Sequence, residues 1–318
     1  MAKKKQSDGR KKYKVTNWAE YNRALVRRGE IDVWLDADAV AGWLSADPPG
    51  PSGGRPKVYS DAAVLCFQSL RRLFRLPLRG AEGLMRSIMR LSGLGLPVPD
   101  HATAGRRLGG LKIDLARRPK GKTTVVIDSS GVKVFGEGEW KRKIHGPGAK
   151  RRWRKVSIIV GEDGEVRAVE PGDSGTHDAD HAAALLGRED AEIEAFHGDG
   201  AYDRRKVYDA LAARGCRKVL VPPRVDAKIW RHGNLKGPPH PRDENLRSVR
   251  KLGMAGWKRG SGYHLRSIVE NAFFRDKTIF GERIRSRRRD NQDVEIALGF
   301  RMLNLMYGLG RPVSVAVG

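Results

Sequence analysis

The stretch YHLRSIVENAFFRDK at residues 263–277 is the part of the sequence around which the rest can be arranged. If it is helical, with about 100° of rotation per residue, four polar side chains fall on one stripe: Tyr263, Arg266, Glu270 and Lys277. Apolar side chains fall on the opposite arc: Ile268, Val269, Ala272, Phe273, Ile279 and Phe280. The pattern predicts a helix that buries one side and exposes an acid between cations on the other.

Such a stripe also has an ordinary explanation, since an Arg–Glu pair four residues apart on a solvated helix is worth only a few tenths of a kcal/mol. Two other carboxylates favour a functional interpretation because each follows an apolar run. Asp128 follows residues 123–127, and Asp199 follows residues 193–197. Carboxylates at strand ends and on a packing helix can converge at one sheet edge, where their oxygens suit Mg²⁺ or Mn²⁺. Two such ions about 4 Å apart can activate a nucleophile and stabilise the leaving oxygen of a phosphodiester.

Each of these acids has a simpler role open to it. Asp128 is placed to form an Asx-turn at the end of its strand, and Asp199 suits the left-handed backbone of a Gly-Asp-Gly turn. Three acids chosen from 37 prove little by position alone. The distinguishing feature is that Glu270 is flanked by cations, which can hold the phosphates that the acids alone would repel.

The overall charge points to a polyanionic partner. The 318 residues carry a formal net charge of +25, and nucleic acid is the simplest polyanion that would bind them. An anionic membrane is the weaker alternative because no long basic amphipathic helix stands out. The most apolar C-terminal run is interrupted by Arg301 and Asn304, so no membrane-spanning helix is expected.

The cysteines and the N-terminus indicate a cytoplasmic protein. Cys66 and Cys216 lie far apart in apolar helical contexts, which suits small core residues rather than a disulfide or a zinc site. Residues 1–5 are basic with no apolar segment behind them, so a signal peptide is not predicted.

The N-terminal part of the chain is predicted to be helical. Residues 1–56 form a basic tail, a helix capped by Asn17 and a Pro/Gly linker, with a short extended segment at 31–35. Residues 57–120 contain three short helices, the first capped by Ser60. The third helix begins at Asp100 or Thr103 and bears the basic pair Arg106 and Arg107. This arrangement is typical of a helix-turn-helix DNA-binding region, which the net charge favours over an ordinary three-helix packing module.

Residues 121–310 have the pattern of a mixed α/β domain. Three strand-like segments are followed by helix, strand, helix, strand and then helices, with an irregular basic insertion at about 224–262 and a short tail at 311–318. Asp178 and Asp203 are predicted to cap the first two of these helices. The last helix is predicted at about 291–309.

The motifs together resemble a known family. Tyr263, Arg266, Glu270 and Lys277 match the Y-x2-R-x3-E-x6-K signature of bacterial insertion-sequence DDE transposases, which is the most specific part of the resemblance. Similar matches are VIDSS at 126–130 to the strand of the first Asp, and GDGAYD at 198–203 to the motif of the second Asp. Two N-terminal stretches, LPLR at 76–79 and LPVPDH at 96–101, resemble the insertion-sequence-five-like branch.

The resemblance implies a function and a site. It implies a ribonuclease-H-like catalytic domain in which Asp128, Asp199 and Glu270 hold two Mg²⁺ or Mn²⁺ ions. The enzyme would hydrolyse double-stranded DNA at the element's ends to give 3′-OH groups, which then attack target DNA by transesterification. A homodimer on paired ends, associated with the nucleoid, is the implied assembly. No G-x-x-x-x-G-K-[ST] loop appears, consistent with a reaction that needs no nucleotide cofactor.

The same resemblance assigns the DNA contacts. Tyr263, Arg266 and Lys277 would contact the transposon-end DNA near the scissile phosphate, with Arg106 and Arg107 as further DNA-binding residues. Ala104-Gly105, just before that basic pair, is a weak sequence for a recognition helix.

Alternative sites and functions remain open at this level. The segment HDADH at 177–181 spaces His177 and His181 like zinc ligands, although a helix cap with a second-shell or DNA-contacting histidine is the simpler interpretation. The tryptophans that lie among cations could stack on unpaired bases or simply pack: Trp140, Trp153, Trp230 and Trp257. The alternative functions are a catalytically inactive DNA-binding protein or repressor derived from a transposase, and a nuclease without strand transfer.

Overall fold

A computed structural model of the chain describes residues 12–46, 56–115, 121–134, 153–231 and 239–317. Several predicted features lie outside these residues: the basic tail at 1–11, the Pro/Gly linker at 47–55, Trp140 with most of the basic stretch that follows it, and part of the predicted insertion at 232–238.

Eight strands are described. In chain order they are β1 (Lys12–Val15), β2 (Lys122–Val134), β3 (Trp153–Gly161), β4 (Val166–Asp173), β5 (Glu192–His197), β6 (Lys218–Leu220), β7 (Arg283–Ile284) and β8 (Ser314–Val317). Six of them form one sheet in the order β4-β3-β2-β5-β6, with β7 pairing to the far end of β2. β3 and β4 run antiparallel to their neighbours, whereas β5, β6 and β7 join in parallel. The predicted mixed α/β sheet is confirmed, and its strand order is consistent with the ribonuclease-H-like fold that the resemblance implies.

The central strand β2 forms because its sequence suits burial on both faces. Val125, Val126 and Ile127 are all fully buried, as expected for a central strand when both faces of the sheet are covered by other elements. The 13-residue strand is longer than the predicted run, since it continues past Asp128 along β3.

Helices cover the sheet and form the N-terminal part of the chain. In chain order they are α1 (Trp18–Arg27), α2 (Ala37–Ala41), α3 (Asp61–Leu73), α4 (Leu78–Leu91), α5 (His101–Arg107), α6 (Asp178–Arg188), α7 (Arg205–Ala213), α8 (Pro241–Ser261), α9 (Ser267–Phe280) and α10 (Arg289–Leu309). Two predicted caps are confirmed by hydrogen bonds that satisfy backbone donors of the first turn. The Ser60 hydroxyl accepts from the Ala63 amide at 3.1 Å, and Asp100 accepts from the amides of residues 102 and 103 at 2.9 Å each.

Other local predictions are wrong. Residues 31–33 form a 3₁₀ turn rather than an extended segment. The N-caps of α6 and α7 are His177 and Arg204, so neither Asp178 nor Asp203 has the predicted capping role. The region predicted as an irregular insertion contains the 21-residue helix α8, which bends at Gly253, where φ is 70°. The two ends of the chain also meet, because β1 and β8 pair as a small antiparallel sheet.

The N-terminal helices and the sheet share one hydrophobic core. Phe67 and Met85 from the N-terminal helices are fully buried in the same cluster as Val156 and Ile158 from β3. A buried charged cluster lies in the same region, where Arg72 of α3 contacts Asp276 of α9 at 3.3 Å and Glu295 of α10 at 3.5 Å. Helices α3–α5 are therefore packed directly onto the elements that carry the candidate site.

No helix in the described segments is long and apolar enough to cross a membrane.

Candidate active site

Asp128 lies where the sheet opens, not at the end of a strand. β2 pairs with β5 only as far as Val126 opposite His197, while its pairing with β3 continues through Asp128. Asp128 is thus two residues beyond the last β5 contact, and its Oδ1 accepts from the amide of Ser129 at 2.8 Å. The Asx-turn that was the simpler alternative for Asp128 is not formed, since the bond is to the next amide, and the carboxylate lies at an open edge beside the carboxyl end of β5.

Asp199 follows β5 at the same level of the sheet, two residues beyond His197. It has φ −81° and ψ 179°, an extended conformation, so the left-handed geometry considered from sequence is wrong. Its side chain accepts from the Ala201 amide at 2.8 Å and caps the short 3₁₀ helix Gly200–Tyr202. Because adjacent strands lie about 4.8 Å apart, Asp128 and Asp199 are neighbours across the end of β5.

The signature stretch is not one continuous α-helix. Tyr263 to Arg266 form a 3₁₀ helix after Gly262, whose φ is 75°, and α9 begins at Ser267. The predicted core side of α9 is confirmed, since Val269, Ala272 and Phe273 are all buried. The polar residues therefore face the sheet edge from two short helices joined end to end.

Arg266 joins the carboxylates of two separate elements. Its Nη1 donates to Asp128 Oδ2 at 2.9 Å, and its Nη2 donates to Glu270 on α9. The side chains are partly accessible, at 23% for Arg266, 20% for Asp128 and 55% for Glu270, so solvent and ligands can reach all three. The structure thus brings together one acid from the sheet and one from the helix around a single guanidinium.

The charges of this group shift its protonation equilibria. Burial raises the pKa of Asp128, and the negative charge of Asp199 adds to that rise, while Arg266 opposes it. Burial alone would lower the pKa of Arg266, but the charges of Asp128 and its neighbours outweigh it and raise the pKa. The two carboxylates at the sheet edge are therefore electrostatically coupled, with Arg266 as their counter-charge.

The other two signature residues contact the same edge of the sheet. Lys277, two turns along α9 from Glu270, donates to Ser130 Oγ at 2.7 Å. The Tyr263 hydroxyl donates to the Gly198 carbonyl, next to Asp199, at 3.2 Å. Tyr263 is buried against Trp257, which raises the pKa of its phenol to about 12. Tyr263 thus packs under the Asp199 turn, whereas Lys277 stays partly exposed.

The donor set suits a hard divalent cation, because Asp128, Asp199 and Glu270 offer carboxylate oxygens. Among the described residues, however, no group of three His, Cys, Asp or Glu side chains is gathered closely enough to hold a metal ion. Arg266 instead neutralises two of the three carboxylates. The oxygen ligands of these residues fit Mg²⁺ or Mn²⁺. In the structure, Arg266 supplies the positive charge that balances Asp128 and Glu270.

The basic pair of α5 divides into two environments. Arg106 is exposed and donates to the Thr103 hydroxyl at 3.2 Å. Arg107 is turned toward α3, where it donates to the Tyr59 carbonyl and pairs with Asp61. Arg106 is available to a ligand, whereas Arg107 holds α5 against the start of α3.

The alternative sites considered from sequence have other partners. His177 is exposed and His181 is buried, while Asp178 pairs with Lys155 at 3.0 Å and Asp180 pairs with Lys206. Trp257 is buried, and the Trp230 ring is covered by the guanidinium of Arg242 at 4.1 Å. Both tryptophans therefore pack against other groups of the protein.

Two serines beside Asp128 are site residues that the sequence analysis did not single out. Ser130 receives the Lys277 ammonium, and the Ser129 hydroxyl contacts Ser157 on β3 at 2.6 Å. The only available signal was their position directly after an acid at the end of an apolar run.

Comparison with known proteins gives a consistent family. A family model described as a transposase DDE domain matches residues 119–305, more than half of the chain, and a second model with the same description matches residues 26–137. Among solved structures, the chain is similar to one described as the Drosophila P element transposase strand transfer complex. The identity is 12% and the TM-score 0.29, with coverage of 88% of this chain and 62% of that one, so the chain spans less than two thirds of that protein.

Proposed function

Because the chain belongs to the family of transposase DDE domains, we propose that it is a metal-dependent transposase of the insertion-sequence-five-like branch. It binds the double-stranded ends of its element, hydrolyses a phosphodiester at each end to give 3′-OH groups, and joins these to target DNA. The proposal rests on one observation above all: the Arg266 guanidinium contacts both Asp128 and Glu270, so the helix signature and the first acid belong to one site.

The proposed roles of the acids follow from their chemistry. Asp128, Asp199 and Glu270 are the metal ligands, with Asp128 and Asp199 closest to each other across the end of β5. Bound Mg²⁺ or Mn²⁺ ions supply Lewis-acid activation of the attacking oxygen and stabilise the charge on the leaving oxygen. Arg266 would compete with bound cations for Asp128 and Glu270, since its guanidinium contacts one oxygen of each.

The cations of the signature are proposed to hold the phosphate backbone. Arg266 has the planar fork that pairs with phosphate oxygens, and Lys277 provides a point charge on the same side of α9. Tyr263 supports the turn that contains Asp199, because its hydroxyl donates a hydrogen bond to the Gly198 carbonyl.

Further basic residues extend this surface. Lys258 and Arg259 lie in the last turn of α8, directly before the 3₁₀ helix of the signature. Arg106 on α5 is the exposed candidate of the N-terminal helices, which we propose as a DNA-binding region within residues 57–120. Together with the net charge of +25, these positions favour duplex DNA as the partner of a cytoplasmic, nucleoid-associated protein. A homodimer that holds two ends is proposed from the two-ended reaction.

The test uses a supercoiled plasmid that carries the DNA flanking this gene, with purified protein and Mg²⁺ or Mn²⁺. Wild type should produce breaks at defined flanking positions, and Glu270→Ala should abolish them. The matched control is Glu244→Ala, because the Glu244 side chain is also 55% exposed and pairs with an arginine one turn away. Protection of the same positions without breaks, identical in wild type and Glu270→Ala, would instead identify a DNA-binding protein without catalysis.

Salt dependence tests the DNA partner separately. A protein that neutralises several phosphates releases their counterions, so affinity should fall by about 10³-fold or more between 50 and 200 mM salt. An affinity that does not change over that range would exclude a binding surface made of these cations.

A further inference from the structure

A chain of hydroxyl groups, buried at Tyr202 and Ser157 and partly buried at Ser129, links the segments that carry the two acids at the sheet edge. The Ser129 hydroxyl, one residue after Asp128, contacts the Tyr202 hydroxyl at 3.1 Å, and Tyr202 ends the 3₁₀ helix that Asp199 caps. Ser129 also contacts the Ser157 hydroxyl on β3 at 2.6 Å. A side-chain hydrogen bond therefore connects the residue after one acid to the short helix that follows the other.

The chain of hydrogen bonds ends on a histidine from the covering helix. Ser157 Oγ lies 2.7 Å from Nδ1 of His181 on α6, and both residues are buried. The imidazole fits against β4 only because Gly172 has no side chain there, since a Cβ at that position would lie 2.3 Å from its Cε1 and Nε2. Four elements, β2, β3, α6 and the Asp199 turn, thus meet at this line of polar atoms.

One orientation of the protons gives each of the three hydroxyl groups an acceptor. Tyr202 donates to Ser129, Ser129 donates to Ser157, and Ser157 donates to Nδ1 of a neutral imidazole. Burial lowers the pKa of His181, which favours that neutral form, and burial raises the pKa of the Tyr202 phenol, which keeps its proton in place. The bonds to Ser157 favour one fixed geometry, because Ser157 is fully buried and breaking them leaves its hydroxyl without a partner.

We propose that Tyr202, Ser129, Ser157 and His181 form a positioning chain that sets the separation of Asp128 and Asp199 and thereby the affinity of the site for divalent cations. The inference rests on the proposed function, since it assumes that these acids are the ligands. Residues behind the ligands of a metal site commonly change its affinity by about 10–100-fold when altered. His181 acts here through hydroxyl groups and not as a metal ligand.

The test is the dissociation constant for Mn²⁺, measured by calorimetry with and without a duplex of the flanking DNA. Tyr202→Phe removes one hydroxyl group and should weaken Mn²⁺ binding by about 10-fold, and a cooperative unfolding transition will show that the variant is folded. The control is Tyr208→Phe, because Tyr208 is an equally buried tyrosine whose hydroxyl faces Asp203 at 3.4 Å instead. Tyr208→Phe should bind Mn²⁺ like wild type.

Two substitutions of His181 provide a rescue test that does not depend on Tyr202→Phe folding. His181→Leu removes the acceptor and should weaken Mn²⁺ binding like Tyr202→Phe, whereas His181→Asn keeps a polar atom near the position of Nδ1 and should restore most of it. If all three folded variants bind Mn²⁺ like wild type, the positioning chain is refuted while the proposed function stands. If wild type binds no Mn²⁺ in either state, the metal site and this inference both fail.

Discussion

Two arginines in this protein each lie between a pair of carboxylates, and they differ in burial. Arg72 contacts Asp276 and Glu295 where helices α3, α9 and α10 meet, and all three side chains are 6–7% exposed. Arg266 contacts Asp128 and Glu270 at the sheet edge, where the side chains are 20–55% exposed. Each arginine joins one acid of α9 to an acid of another element, and in the buried group Arg71 also contacts Glu295, at 3.8 Å.

The surroundings of each group explain what it can do. The buried group has further contacts around it: Glu295 also accepts from the amides of Arg285 and Ser286 at 2.9 Å each, and the guanidinium carbon of Arg72 lies 5.2 Å from the centre of the Phe280 ring. The exposed group has room beside it, and water can replace each of its contacts. The comparison teaches that an arginine between two carboxylates stabilises the fold when the group is buried. When the group is exposed, its contacts can be exchanged for water or a ligand.

The largest expected effect is on the buried group. Arg72→Met leaves Asp276 buried without its arginine and Glu295 with Arg71 alone, at 3.8 Å, and it should lower the free energy of unfolding by about 3–5 kcal/mol. Urea unfolding followed by circular dichroism measures this. The control is Arg247→Met, an exposed partner of Glu244 whose loss should cost less than about 1 kcal/mol. A loss at Arg72 as small as that at Arg247 would remove the distinction between the two groups.

A smaller effect is expected where α10 leaves space for the buried group. A Cβ at Gly299 would lie 2.6 Å from Asp276 Oδ1 and 2.7 Å from Arg72 Nη2, so Gly299→Ala must push the pair apart. The expected destabilisation is about 1–3 kcal/mol, the usual range for overpacking. Gly187→Ala on α6 is the matched helical control, since a Cβ there would meet no atom within 4 Å. Equal unfolding midpoints for the two variants would show that the buried pair tolerates displacement.

Removing the arginine of the exposed group should affect DNA cleavage and leave the stability of the fold nearly unchanged. Arg266→Met should change the free energy of unfolding by no more than about 1 kcal/mol, because solvent can compensate both carboxylates. The same variant should lose DNA cleavage, since the proposed phosphate contact is gone. Unfolding curves and the plasmid assay, run on one preparation, separate these outcomes. A loss of stability comparable to that of Arg72→Met would show that Arg266 is structural.

The smallest and most specific difference is the pH dependence of stability. Burial alone would raise the pKa of Glu295, but Arg71 and Arg72 outweigh it, and the pKa lies below the ordinary 4.5. A lowered pKa contributes stability above pH 4.5 that is lost as the pH falls through the folded value, so Glu295→Gln should cost most at neutral pH and less in acid. Unfolding measured between pH 3 and pH 7 gives the difference directly.

Asp128 should show the reverse slope. Burial, reinforced by the charge of Asp199, raises its pKa above the ordinary 3.8, so its ionised form is disfavoured in the folded state. The stability of Asp128→Asn relative to wild type should therefore rise as the pH increases above 3.8 and level off beyond the raised folded pKa. Parallel pH profiles for the Glu295 and Asp128 variants would contradict the assignment of opposite environments.

Local patterns predicted much of the fold. The β-branched run before Asp128 and the strand-like segment before Asp199 are strands, and Ser60 and Asp100 cap the helices that follow them. These predictions hold because each depends on propensity or on a hydrogen bond within one turn, which neighbours in sequence decide.

The helix α8 shows where such patterns fail. Its packed face is polar: Arg242 pairs with Asp203 at 2.7 Å, Asp243 accepts from the Trp230 amide at 2.9 Å, and Asn245 donates to the Val219 carbonyl at 2.7 Å. Hydrophobic periodicity cannot reveal a helix that buries hydrogen-bonded polar groups, so the sequence suggested an irregular segment.

The sequence by itself determined the spacing of Arg266, Glu270 and Lys277, because residues four and seven apart on helical turns lie on one side whatever they pack against. It also determined that Asp128 and Asp199 come after segments that form buried strand residues. Only the tertiary structure decided that Arg266 contacts Asp128, 138 residues away, and that Ser129 contacts Ser157 and Tyr202. Those contacts depend on strand order and on where β5 stops, which follow from how separate elements pack and leave no periodic signal in the chain.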